Sequence, residues 1–94
     1  MIHSRSRSPS EVLEFCDRFR DKDPETVLVV VPTQYNSVRE SDLNDHGVNI
    51  VIYANHMLRA SLPAMRSVCT SILEHGRAKE AGAMCLPVSE LLEL

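Results

Sequence analysis

No stretch of the 94 residues approaches the roughly 20 consecutive apolar side chains that a membrane span requires, and Met1-Ile2-His3-Ser4-Arg5 carries no signal-peptide apolar region. A soluble, cytoplasmic protein is expected. There is no glycine-rich phosphate loop, no G-x-S-x-G elbow and no H-E-x-x-H pair, so the sequence signatures of those phosphate, acyl-transfer and zinc chemistries are missing. Cysteine is scarce. Cys16, Cys69 and Cys85 are odd in number, widely spaced and without a C-x-x-C pair, which argues against a disulfide framework or a zinc site and predicts buried free thiols. A surplus of positive charge is also absent. Ten Lys and Arg against thirteen Asp and Glu leave a net charge of −3, so no general attraction for nucleic acid is expected and any anionic ligand must be held by local groups.

What the chain does have is two apolar runs that stop abruptly. Val27-Leu28-Val29-Val30-Val31 ends at Pro32-Thr33, and Val48-Asn49-Ile50-Val51-Ile52 ends at Ala54-Asn55-His56. Nearly continuous β-branched runs read as parallel strands buried on both faces, and in α/β folds ligands sit at the carboxyl ends of such strands. Met1-Ile2-His3 resembles the end of a further strand. Ser8-Pro9-Ser10-Glu11 reads as a capping box, with Ser8 as N-cap and Glu11 reaching back to it. The helix it starts carries Val12, Leu13, Phe15, Cys16 and Phe19 on one face.

Ser37 to His46, anchored by Leu43 and closed by Gly47, reads as a short exposed crossover helix between the two strands. Beyond His56, Leu62, Met65, Val68, Cys69, Ile72 and Leu73 form an apolar stripe. Pro63 near its start predicts either a fresh helix capped by Ser61, the preferred reading, which runs from Ser61 to Glu74 and is closed by Gly76, or an earlier turn that kinks at the proline. Ala78 to Met84 reads as a connection, and Pro87 to Leu92 as a last helix. The order strand end, helix, strand, helix, strand, helix, helix predicts an α/β fold whose open edges leave the sheet incompletely covered. A closed (β/α)8 barrel needs roughly 250 residues. The expectation is therefore that residues 1–94 form a single partial domain, the last part of a larger barrel.

His3, Thr33, Asn55 and His56 lie at or just past strand ends, where a shared barrel would gather them on one rim. An imidazole there can donate to an anionic oxygen or shuttle a proton, or it can bond to its own loop. Position alone leaves both open for His3, whereas His56, entering a helix, reads as a cap or packing group. Thr33 and Asn55 offer neutral hydrogen bonds to a substrate or to the loops. Arg5 and Arg7 read as a solvated loop, Arg59 as the partner of a carboxylate or helix end, and His46 and His75 as helix-terminal groups. The acidic residues are scattered along helix surfaces with none at a strand tip, so no metal ligands are assigned in this chain.

Taken together, Met1-Ile2-His3-Ser4, Ser8-Pro9-Ser10-Glu11, Val29 to Tyr35 (V-V-V-P-T-Q-Y), Gly47 to Ser61 with its A-N-H-M-L-R-A-S string, and Leu86 to Leu92 are similar to the carboxyl-terminal third of the phosphoenolpyruvate mutase family. Tyr53 stands where that family often has Trp, and Met57 where it often has Asn. The resemblance covers essentially the whole chain. It implies an isocitrate-lyase-superfamily (β/α)8 barrel, represented here from the end of the sixth strand onward. It implies a Mg²⁺-dependent intramolecular phosphoryl transfer that interconverts phosphoenolpyruvate and phosphonopyruvate in phosphonate biosynthesis. His3 matches the family histidine that contacts the phosphoryl or phosphonate group. The family's metal-binding carboxylates, substrate-anchoring arginine and mobile lid lie upstream of Met1, so this chain alone is expected to be inactive.

The family's last long helix is exchanged between subunits, which implies a homo-oligomer built through Ser61–Glu74. Two alternatives accompany this reading. One is a phosphonopyruvate hydrolase, which shares the barrel and differs chiefly in lid and nucleophile positions. The other is a non-catalytic oligomerisation module.

Overall fold

The structure, a computed structural model, describes residues Met1–Leu94. Its elements are α1 (Ser10–Arg20), β1 (Val29–Val30), α2 (Glu40–Asp45), β2 (Ile50–Val51), α3 (His56–His75), a 3-10 helix (Glu80–Met84) and α4 (Val88–Leu92). They fall into two compact units, Met1–Ala54 and Asn55–Leu94.

In the first unit β1 and β2 are parallel, with Val29 opposite Ile50 and Val30 opposite Val51. Ile2 bridges Val30 in the parallel sense, its N–H donating to the Val29 carbonyl at 2.8 Å. The expected strand end at Ile2-His3 is thus present, and β1 has a neighbour on each side. The paired segments are shorter than the apolar runs. Pro32 has no N–H to extend the ladder beyond Val31, and the last bond to β2 is Ile52 N–H to the Val30 carbonyl at 2.9 Å.

Burial corrects the expectation of strands covered on both faces. Leu28 and Val30 are buried, whereas Val27, Ile50 and Ile52 are exposed. Alternate residues of a strand face opposite ways, and only the face toward α1 and α2 is covered within this unit. The core joins Val12 and Cys16 of α1, Leu28 and Val30, Tyr35, Leu43 of α2, and Val48, with Ile2, Leu13, Phe19, Val38 and Val51 against it. Leu43, the anchor of an otherwise polar six-residue helix, is 1% exposed. Burial of such a side chain stabilises by roughly 1.5–3 kcal/mol, more than the few tenths that helix propensity contributes at each position.

The capping box at Ser8 and Glu11 is a second correction. α1 begins at Ser10 with Pro9 as its N-cap. Ser8 Oγ still accepts from the Ser10 N–H, at 3.4 Å. The reciprocal arm is missing because Glu11 bonds to Ser4 instead, its Oε2 accepting from Ser4 Oγ at 2.5 Å.

The second unit contains α3, the 3-10 helix and α4. α3 runs from His56 to His75 straight through Pro63, so the expected start at Ser61 is wrong. Ser61 caps nothing; its hydroxyl donates back to the Leu58 carbonyl at 3.1 Å inside the helix. The true N-cap is Asn55, in the left-handed conformation at φ 64°, which a short polar side chain tolerates. Gly76, at φ 62°, closes the helix, its N–H donating to the Ile72 carbonyl. The apolar stripe of α3 is not wholly without a partner in the chain, because the 3-10 helix lies against it. Only Ser71 and Ala81 are buried in this unit, and Leu58 and Leu73 are 63% and 83% exposed. Cys69 and Cys85 are exposed as well, contrary to expectation, while Cys16 is buried. They lie in a unit with too little core to enclose them.

Candidate functional site at the strand tips

The in-register alignment of Ile2, Val30 and Val51 sets the next residues, His3, Val31 and Ile52, side by side at the carboxyl end of the sheet. His3 is exposed there, and an open cavity of about 360 Å³ is lined by Ile2, His3, Ser4, Glu11, Val12 and Phe15. Its apolar lining comes from Ile2, Val12 and Phe15, and Phe15 is held on α1 by stacking on Phe19 with ring centroids 5.8 Å apart. The imidazole is the one group lining it that can donate to an anion from a side chain not already engaged, because the Ser4 hydroxyl is directed to Glu11.

The buried Ser4 also accepts from the Ser6 N–H at 2.9 Å, and Ser6 Oγ accepts from the Ser8 N–H at 3.2 Å. Ser4-Arg5-Ser6-Arg7-Ser8 is therefore a run of serine-stabilised turns leading into α1.

Thr33 lies two residues beyond Val31, and its N–H donates to the Val31 carbonyl at 2.8 Å, a tight turn that ends the strand. Tyr35, two residues further on, is fully buried, and burial pushes its phenol pKa up while the Val31 backbone opposes the shift. At the tip of β2, Tyr53 donates its hydroxyl to Glu40 Oε1 at 2.5 Å, and this bond raises the phenol pKa.

Of the four residues expected on one rim, His3 and Thr33 belong to the first unit. Asn55 and His56 belong to the second, where they open α3. The Ser4–Glu11 and Tyr53–Glu40 bonds were not read from the sequence. Each joins a strand tip to a helix, at separations of 7 and 13 residues, and neither spacing has a signature.

Comparison with known proteins decides the family. The family model described as phosphoenolpyruvate phosphomutase matches residues 1–73. The chain belongs to the phosphoenolpyruvate phosphomutase family. Among relatives of this family chain, the phosphonopyruvate hydrolase of Variovorax sp. (strain Pal2) is 40% identical over 100% of the chain and 32% of its own length. The crystal structure of phosphoenolpyruvate phosphomutase from Streptomyces platensis subsp. rosaceus superposes with a TM-score of 0.84 at 35% identity, covering 98% of the chain and 31% of that protein. A phosphonopyruvate hydrolase in complex with oxalate and Mg²⁺ gives a TM-score of 0.76 at 38% identity, over 98% and 32% of the two chains.

The chain thus spans about a third of the length of the relatives it matches. A Mg²⁺ site is present in that relative, but the residues here do not form one. No three His, Cys, Asp or Glu side chains converge, and the strand tips carry His3-Ser4, Pro32-Thr33 and Tyr53-Ala54 rather than carboxylates.

Proposed function

We propose that this chain supplies three adjacent strand tips of a (β/α)8 phosphoenolpyruvate phosphomutase, with His3 as the group that contacts the phosphoryl or phosphonate oxygens. Residues 1–94 are read as one part of that barrel. The reaction moves a phosphoryl group within one molecule. The P–O bond of phosphoenolpyruvate breaks, a P–C bond forms at the methylene carbon, and the product is phosphonopyruvate. Charge builds on the equatorial phosphoryl oxygens during such a transfer, and a fixed N–H donor stabilises it without reorganising. The observation that carries the reading is the exposed imidazole at the end of the Ile2 bridge, one residue past the register of Val30. Metal chemistry is assigned to residues outside this chain, and no step of the proposal runs through it here.

Hydrolysis of phosphonopyruvate to pyruvate and phosphate is the second reading, favoured by the 40% identity to the Variovorax enzyme over the whole chain. In that case water takes the phosphorus and the P–C bond is lost. Oligomerisation belongs to the same proposal. The exposed Leu58 and Leu73 of α3 are assigned to a helix exchanged with a second copy.

The test is a graft in which this chain replaces the matching segment of the Streptomyces platensis phosphomutase, followed by phosphorus NMR with phosphonopyruvate and Mg²⁺. Accumulation of phosphoenolpyruvate supports the mutase. Inorganic phosphate in its place supports the hydrolase. A graft that melts cooperatively yet turns over neither way overturns both.

A further inference from the structure

A glutamate at the third position after a serine, at the start of a helix, has an obvious local use as one arm of a capping box. Glu11 does not take it. Its Oε2 accepts from Ser4 Oγ at 2.5 Å, seven residues back and directly after His3. The same hydroxyl accepts from the Ser6 N–H at 2.9 Å. Ser4 is buried at 7% exposure, whereas His3 beside it is exposed and makes no hydrogen bond within the chain.

An imidazole with no bond of its own is aimed by its backbone. On one side of His3 that backbone is tied to the sheet by the Ile2 N–H to Val29 bond. On the other it is tied to α1 by the serine turns from Ser4 to Ser10 and, across to the helix side chain itself, by the Ser4–Glu11 bond, a hydrogen bond to a carboxylate, roughly twice as strong as a neutral one.

We infer that Ser4 and Glu11 are positioning residues, a latch between strand tip and helix that holds His3 toward the transferring group. The inference rests on the reading of His3 as the phosphoryl contact. It adds that Glu11, although it lines the same cavity, acts through Ser4 and His3. A full misplacement of a donor by about 1 Å can lower turnover on the order of 10²-fold, as much as removing it. Loss of the latch leaves the Ile2 tie in place and shifts the imidazole by less, so it should cost less than loss of the imidazole and should have no effect once the imidazole is gone.

The experiment is a double-mutant cycle in the same graft, with kcat and KM measured separately for His3→Ala, Ser4→Ala, Glu11→Gln and the pairs of each latch variant with His3→Ala. His3→Ala should lower kcat about 10²-fold, on the scale of a lost electrostatic donor. Ser4→Ala and Glu11→Gln should each lower kcat about tenfold with little change in KM, and neither should lower it further in the His3→Ala background. Ser4→Thr, which restores the hydroxyl, should recover most of the Ser4→Ala loss.

If His3→Ala is costly but the latch variants are silent, or their losses simply add to it, the latch is overturned while the role of His3 stands. If His3→Ala is itself silent, both fall. Thermal melts accompany each variant, and where Ser4→Ala does not fold, the Glu11→Gln arm carries the same cycle.

Discussion

The guanidinium of Arg20 occupies the space that a side chain on Gly47 would need. Nε and Nη2 of Arg20 donate to the Gly47 carbonyl at 3.0 and 2.7 Å, and a Cβ built on Gly47 would lie 2.7 Å from Nε and 2.8 Å from Cγ. The same fork reaches Asn49 Oδ1 at 2.7 Å and the carbonyls of Asp23 and Thr26 at 3.1 and 2.7 Å. Asn49 Oδ1 in turn accepts from the Leu28 N–H at 2.8 Å. The end of α1, the entry to β1 and the entry to β2 are thereby tied at one point, at the opposite end of the strands from His3.

Gly47→Ala should destabilise the first unit. The residue sits at φ 81°, where a Cβ costs about 1–2 kcal/mol, and displacing Arg20 adds to this. Chemical denaturation is the check, and an unchanged midpoint would show that the Arg20 side chain yields freely.

Arg20→Lys should fail to substitute. A lysine ammonium is a single point of charge and cannot bond five directions of backbone and side-chain oxygen from one plane. A loss of about 2–4 kcal/mol is expected from the unmade charged bonds, similar to that of Arg20→Ala. Equal stability of the lysine variant and the parent would contradict the geometric account.

Acid should loosen the turn before β1. Asp23 accepts at Oδ2 from the Thr26 hydroxyl at 2.6 Å and at Oδ1 from the Thr26 and Glu25 N–H groups at 2.8 and 3.0 Å. The Thr26 hydroxyl, then the backbone amides, hold its pKa below the ordinary 3.8. A carboxyl lowered in the folded state contributes stability that is present above its unfolded pKa and lost as pH falls through the folded one. Asp23→Asn should therefore be less stable at neutral pH and show a shallower decline below pH 4 than the parent.

Thiol labelling should separate the cysteines. Cys69 and Cys85 are exposed and should react rapidly. Cys16 is buried with its pKa raised, first by desolvation and then by Asp17, so it should react only on unfolding. Fast labelling of all three in a folded sample would mean that the α1 face opens readily.

Leu73→Asp should weaken self-association. Leu73 is 83% exposed on α3, and a charge placed in an apolar helix exchange is costly. Sedimentation at rising concentration measures it. Identical distributions for parent and variant would overturn the proposed association through α3.

Much of the architecture was legible because it is local. The two β-branched runs, the polar helix between them anchored by Leu43, and the stops at Gly47 and Gly76 each follow from periodicity or from glycine, the residue that accepts positive φ most readily. Pro63 misled because a proline near a helix start resembles a boundary, whereas the left-handed Asn55 turn had already begun the helix. The Ser8 capping pattern misled for a different reason. A local pattern states what Glu11 could do, and the competing hydroxyl of Ser4, two residues past the Ile2 bridge, took the bond.

By itself the amino-acid order determined the sequence of elements, the family and the histidine at a strand end, since these depend on residue types at short spacing. Tertiary structure alone decided that Ile2 pairs beside β1, that Arg20 ties three segments through Gly47 and Asn49, and that Glu11 holds Ser4. Those choices depend on which groups meet after the chain has folded back on itself. A hydrogen bond across seven or 29 residues has no periodic signature, because its strength is set by distance in space and not along the chain.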